Sequence, residues 1–381
     1  MILIFPLQTA NPAREYATSS KQAVMSRIFA LLCSSGLAAG LLVTTARLSR
    51  RRARHCAAVL STGVGTGCGA GTVGSPRVAR DSAWAAAVVE AWRADMDINA
   101  SLARGDTHRR EPASYLDEDG VAFHGELVWA DGRGFGRTRS GVVLVHTAVG
   151  PRDMMLQWRA QSLAALGHVV LIADLLGDET GAAWEAEWAA PRRAPLVADR
   201  DLSRSRMRLA LDALRSSVRL DRDSEIKRYT SRHPRLHATQ ALDAPPVDPE
   251  RMAAVGYCFG GRCVLDLARG GGAAGVRGVV SLHGVLDAQP LPAGVTRIEA
   301  AVLLCHGDAD PFTPPVALDA CVAQLRAHCA QWQLNTYGGA PHAWTNPAQR
   351  LNSNPAFGYD RVAAEASWRA TTAFLAEVLR P

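Results

Sequence analysis

Lysine is nearly missing from this chain: 40 of its 42 basic residues are arginine. A bias that uniform reflects coding more than recognition chemistry. Acidic side chains are almost absent from residues 1–80, where Glu15 stands alone against ten Lys or Arg. Paired C-x-x-C is absent, which excludes a zinc ribbon. The eight cysteines (33, 56, 68, 258, 263, 305, 321, 329) lack the regular spacing of a secreted disulfide framework. No internal repeat is visible. The whole chain carries a formal charge of +6, which alone would suggest a polyanionic partner. Beyond residue 80, however, 32 basic side chains face 35 acidic ones. The body is therefore slightly acidic, and no nucleic-acid partner is expected.

Residues 1–80 read as a leader. Nineteen uncharged residues (28–46) lie between Arg27 and Arg47, just enough to span a bilayer. A dense block follows (Arg47, Arg50, Arg51, Arg52, Arg54), where a secretory signal would carry its charge ahead of the apolar run. The favoured expectation is an organelle presequence, plastid or mitochondrial, resembling the bipartite leaders of complex plastids. A membrane anchor, with contact only through 28–46, is the alternative; a leader without function is the third. Residues 81–111 read as a linker or helical segment.

From 112 to 381 there is enough chain for one large core. Hydrophobic content of 48% and charged content of 20% are those of a globular protein. Short Val/Leu/Ile runs at 142–147, 168–173, 252–257, 278–283, 301–305 and 332–337 read as strands buried on both faces. Helical patterns fall at 152–166, 200–216, 260–269, 314–329 and 357–379. This alternation predicts a doubly wound, mostly parallel α/β sheet with flanking helices. Polar residues 221–250, with Pro245 and Pro246 near their end, read as an inserted surface loop.

One segment carries chemistry. Gly256-Tyr257-Cys258-Phe259-Gly260 runs from a strand through a tight turn into a helix. It is the G-x-S-x-G nucleophile-elbow pattern with Cys in place of Ser. Its glycines give room to a sharp turn, and the helix N-terminus behind Cys258 favours a thiolate. An elbow needs an acid and then a His, each beyond a strand end. Asp308 and Asp310 follow the strand at 301–305, and His342 follows the one at 332–337. The backbone N–H of Phe259, with Ala148 or else Thr147 after the first core strand, would form an oxyanion hole. His283 and His306 read as loop braces, His146 as a brace or packing group, and Cys263, Cys305, Cys321 and Cys329 as core. Tyr257, Phe259, Phe312 and Trp344, adjacent to these residues in sequence, are expected to wall a pocket. Residues 181–195, with Trp184 and Trp188, read as either a lid or a connecting helix.

The chain resembles the dienelactone hydrolase family, a branch of the α/β-hydrolase fold, over about 112–380. The resemblance rests on Tyr115 with Phe123-His124-Gly125-Glu126-Leu127, the loop His146–Gly150, residues 167–177, the elbow 256–261, Ser281–Gly284, the stretch 306–314 and Pro341–Pro347. It implies a Cys258–His342–Asp310 triad, Asp310 being preferred to Asp308 by family position. It also implies acyl transfer through a thioester on a small ester or lactone, with no metal or organic cofactor. Three positions depart from the family. Its enzymes carry a Glu in the oxyanion loop where this chain has Thr147, a residue also expected to touch substrate. They hold a substrate carboxylate with two arginines, near Asp178 and at Asn346 in this numbering. Arg152, Arg192 and Arg193 are candidate substitutes, with ordinary surface charge as their other reading. An uncharged or weakly polar ester is therefore expected. The competing reading is a catalytically weak protein of this fold that binds a ligand or partner.

Overall fold

The computed structural model describes residues 107–131, 138–177, 186–216 and 244–381. The leader, residues 81–106, Asp178, Trp184 and most of the insertion lie outside the described residues, as does the Trp188 side chain.

Eight strands form one sheet: β1 (Thr107–Leu116), β2 (Ala122–Asp131), β3 (Arg139–Val145), β4 (Val169–Ala173), β5 (Val247–Tyr257), β6 (Gly278–Leu282), β7 (Ala301–Gly307) and β8 (Trp332–Tyr337). Their spatial order is β1-β2-β4-β3-β5-β6-β7-β8. β2 runs antiparallel to both neighbours, and all other pairings are parallel. This is the α/β-hydrolase architecture expected. Among the described residues, six helices flank the sheet: α1 (Met154–Ala164), α2 (Ala186–Ala198), α3 (Arg200–Ser216), α4 (Phe259–Ala268), α5 (Pro315–His328) and α6 (Arg361–Val378).

Residues alternate across each parallel strand and fill two cores. Val143, Val145, Leu171, Ala254 and Leu304 pack with α2, α3, α4 and α5 on one face. Val142, Leu144, Val170, Val255 and Leu303 pack with α1 and α6 on the other. Burial on both faces is why these strands are continuous apolar runs. Helix α3 turns Met207, Ala210, Leu211 and Leu214 inward at helical spacing. Asp153 and Asp360 cap α1 and α6, accepting hydrogen bonds from Met155 N and Ala363 N at 2.9 and 3.0 Å.

Three boundaries differ from expectation. β1 begins at Thr107, inside the segment read as linker or helix. This edge strand is polar, and its pairs Arg109–Asp131 and Arg110–Glu126 run across to β2, so no apolar run announces it. β5 begins at Val247, within the stretch read as an insertion, because Val247 is buried and pairs with Arg139. Residues 186–198, within the lid-or-helix region, are helical despite Pro191 and Pro195.

The residues that carry the resemblance near the N-terminus prove to be joinery. Tyr115 Oη donates to the Asp174 carbonyl at 2.8 Å and accepts from Asp174 N at 2.9 Å. The Asp174 carboxylate accepts from His124 N and Leu176 N. A Cβ on Gly125 would lie 2.6 Å from the Ile172 carbonyl oxygen. Together these contacts fasten the antiparallel edge to the parallel centre.

Candidate active site

Strand order reverses between β3 and β5, since β4 lies on the far side of β3 and β6 beyond β5. A crevice opens at such a reversal, outside the carboxyl ends of the strands. The loop after β3 (His146–Gly150) and the turn after β5 (Cys258) meet there.

Cys258 sits at φ 55°, ψ −115°, a conformation L-residues rarely adopt. The surroundings hold it. Its N–H lies 3.0 Å from the Leu282 carbonyl oxygen and 3.1 Å from His283 Nδ1. The turn admits no side chain at its glycines. A Cβ on Gly256 would lie 2.1 Å from the Gly260 carbonyl oxygen, and one on Gly260 would lie 2.5 and 2.6 Å from those of Val145 and His146.

His342 Nε2 is 3.0 Å from Cys258 Sγ, and His342 Nδ1 is 2.7 Å from Asp310 Oδ2. Asp310 Oδ1 accepts from Phe312 N at 2.9 Å, so both carboxylate oxygens are engaged. Asp310 is buried against His342, whereas Asp308 is exposed. His342 is clamped by the rings of Phe312 and Phe357, with centroids 4.7 and 5.3 Å away. Burial pushes the Cys258 thiol up. The charge and hydrogen bond of His342, together with the Phe259 N–H, outweigh it and leave the thiol below its ordinary range. Burial pulls His342 down, but Cys258 and Asp310 together raise it well above an ordinary histidine. The arrangement favours a thiolate–imidazolium pair.

Around this line the loops are braced. His283, at φ 37°, is buried and held far below an ordinary histidine by burial and by the neighbouring His342. It is neutral; Nε2 donates to Thr345 Oγ1 at 2.8 Å, leaving Nδ1 to accept from the Cys258 N–H. It braces the elbow and stands outside the Cys–His–Asp line. His146 accepts from Leu175 N through Nε2 at 3.3 Å and donates through Nδ1 to the Thr147 carbonyl at 2.7 Å. That bond fixes the plane of the Thr147–Ala148 peptide, and with it the direction of the Ala148 N–H. Arg193 on α2 donates to the Ala148 carbonyl at 2.7 Å. It is a loop clamp, a role its sequence did not announce.

A cleft of about 200 Å³ opens on Cys258 and His342. Ala148, Met155, Ala343, Ala348 and Phe357 give it a largely apolar wall; Thr147, Asp153, His283, Asn346 and Gln349 are among its polar groups. None of the four expected wall residues lines this cleft; Phe312 packs against the His342 ring instead. Tyr257 and Trp344 are wholly buried, on the α1/α6 side of the sheet. Strand alternation turns Tyr257 away from the crevice, and the positive φ of Ala343 (61°) turns the chain so that Trp344 enters the core. The Phe259 ring stacks on His146 with centroids 5.8 Å apart, leaving its backbone N–H at the helix start. Phe357, Asp153 and Gln349 were not anticipated; the first lies far along the chain, and an Asp before a helix reads only as a cap. Cys263, Cys305, Cys321 and Cys329 are buried away from this line. Among the described residues, no group of three or more His, Cys, Asp or Glu is arranged to hold a metal ion. No helix among them is long and apolar enough to cross a membrane.

Comparison with known proteins bears on this site. Residues 133–379 match the dienelactone hydrolase family. The solved structure of a dienelactone hydrolase-like promiscuous phosphotriesterase from metagenomic libraries is 28% identical. It superposes with a TM-score of 0.58 over 72% of this chain and 99% of that one. The structure of m3DLH is 31% identical, with the same TM-score and coverage. A probable 2-oxo-3-(5-oxofuran-2-ylidene)propanoate lactonase of Bradyrhizobium sp. is 25% identical over 62% of this chain and 84% of its own length. An uncharacterized protein of Caenorhabditis elegans is 35% identical over 41% of this chain and 96% of its own length.

Proposed function

The chain belongs to the dienelactone hydrolase family, and on that premise we propose that it hydrolyses a small ester or lactone by covalent catalysis through Cys258. The observation that carries this reading is the hydrogen-bonded line Cys258–His342–Asp310, set at a strained turn on a helix N-terminus. The Cys258 thiolate attacks the carbonyl carbon. The oxyanion that forms is held by the N–H groups of Phe259 and Ala148. His342, cationic at that moment, gives its proton to the departing alkoxide, and a thioester remains. Neutral His342 then takes a proton from water as that water attacks the thioester carbon; collapse breaks the C–S bond, frees the acid and leaves the Cys258 thiolate beside the imidazolium of His342. Asp310 holds the imidazole in register and balances its charge. Thr147, in place of the family's Glu, lines the cleft without adding a charge. His342 alone is then left to generate the thiolate.

The decisive experiment is turnover by the full chain of p-nitrophenyl acetate, a lactone panel and, given the metagenomic relative, a phosphotriester. Cys258→Ala is expected to abolish turnover, and His342→Ala and Asp310→Asn to lower kcat by roughly 10³–10⁴-fold. Turnover that survives Cys258→Ala would overturn the reading. The binding-protein alternative would instead show no turnover with ligand-induced thermal stabilisation.

A further inference from the structure

Asp153 lines the same cleft as Cys258 and His342, yet only 1% of it is exposed. Its Oδ1 caps α1 through Met155 N at 2.9 Å. Burial pushes its carboxyl up to about 6, the Met155 N–H being the opposing influence. Above that value it carries a negative charge. A cap uses one oxygen of a carboxylate and leaves the charge of the group unspent.

The rest of the lining does nothing to neutralise that charge. Among the described residues no Lys or Arg lines the cleft, and the imidazolium of His342 is already paired with the thiolate and with Asp310. Asn346 stands where the family places a carboxylate-binding arginine, and its side-chain oxygen is engaged as a cap, accepting from Ala348 N at 3.0 Å. Arg193 is committed to the Ala148 carbonyl. Above that pH an acyl group entering this space meets largely apolar walls and the negative charge of Asp153, with little water to screen it.

We propose that Asp153 is a specificity-determining residue that sets the charge preference of the cleft: substrates whose acyl group is neutral or cationic enter, and those bearing a second carboxylate are turned away. This rests on the proposed hydrolase reading, and it names the class of substrate for that site.

Two measurements on the full chain test it. The first compares kcat/KM for p-nitrophenyl butyrate and for the p-nitrophenyl monoester of glutaric acid, similar in length but differing by a carboxylate. Assayed at pH 8, well above the Asp153 value of about 6, the neutral ester is expected to be preferred by roughly 30-fold, a ratio that falls to within about threefold in Asp153→Asn. Asn caps a helix as well as Asp does, so the fold is kept. The second needs no turnover. Alkylation at Cys258 by iodoacetamide and iodoacetate is followed by mass spectrometry of its peptide, each rate being referred to glutathione. Iodoacetate is expected to be disfavoured in the parent and selectively accelerated in Asp153→Asn. Equal loss of both rates in the variant, with their ratio unchanged, would overturn the proposal and leave Asp153 as a cap alone. So would a parent that accepts the anionic reagents as readily as the neutral ones. If neither ester is hydrolysed but the alkylation ratio shifts as expected, the hydrolase reading fails and the charge preference stands.

Discussion

At the scale of single residues, the site is a set of electrostatic dependencies with measurable signs. The Cys258 thiol lies below its ordinary range because His342 outweighs burial. Its alkylation rate should therefore inflect at a pH below the usual thiol value of about 8.5. In His342→Ala burial remains without its counterweight, and the inflection should move above that value; stopped-time alkylation across pH 5–10 reads both. Steric dependence is equally sharp. Gly260→Ala would drive a methyl group against two backbone carbonyls, neither of which is free to rotate away. Thermal unfolding should show a loss of roughly 1–3 kcal/mol, together with reduced Cys258 reactivity. Much of this was legible in the sequence. Cys258 and Asp310 each follow an apolar strand, His342 follows a mixed, half-exposed edge strand, and the elbow glycines announce a turn. Asp153 was hidden because capping a helix and facing a cleft look alike in one dimension. Tyr257 and Trp344 were misplaced because adjacency in sequence says nothing of which face a side chain takes.

At the scale of elements, what the eye finds in a sequence is burial. Val142–Val145, Val169–Ala173 and Ala301–Cys305 were visible as strands because both faces are covered. β1 and β2 were not: β1 is a charged edge strand, and only Leu127–Ala130 of β2 form a buried run. The helices behind the elbow depend on another feature invisible to periodicity. Asp266 on α4, 0% exposed, binds Arg269 at 3.1 Å and Arg200 of α3 at 2.9 Å, and both arginines also reach Asp287. Removing one partner strands buried charge. Asp266→Ala should cost about 3–5 kcal/mol in urea unfolding, with Arg269 the most exposed to the loss. Helix α2 matters differently. Arg193→Ala frees the Ala148 carbonyl, and the expected result is a lower kcat toward esters with little change in unfolding midpoint.

At the scale of the whole molecule, charge is segregated along the chain. Ten basic residues and one acid precede residue 81, while the remainder carries 32 basic and 35 acidic residues. A heparin column at low salt should retain the full chain and pass a form lacking residues 1–80. Equal retention of both would place the basic character in the catalytic body instead. Within that body, the loop bearing Ala148 and the turn bearing Cys258 leave β3 and β5, which are paired directly, Val145 opposite Gly256. Their separation is therefore set by backbone ladder bonds at the centre of the sheet, whereas Phe357, Asn346, Gln349 and Asp153 come from loops and helix ends around it. On the proposed reading, the nucleophile and oxyanion donors sit on the sheet's central pair while much of the cleft wall sits on the surrounding cover. Variation in the surrounding cover can exchange one substrate for another while the chemistry is inherited unchanged, so the sheet serves as a fixed platform on which new specificities can evolve.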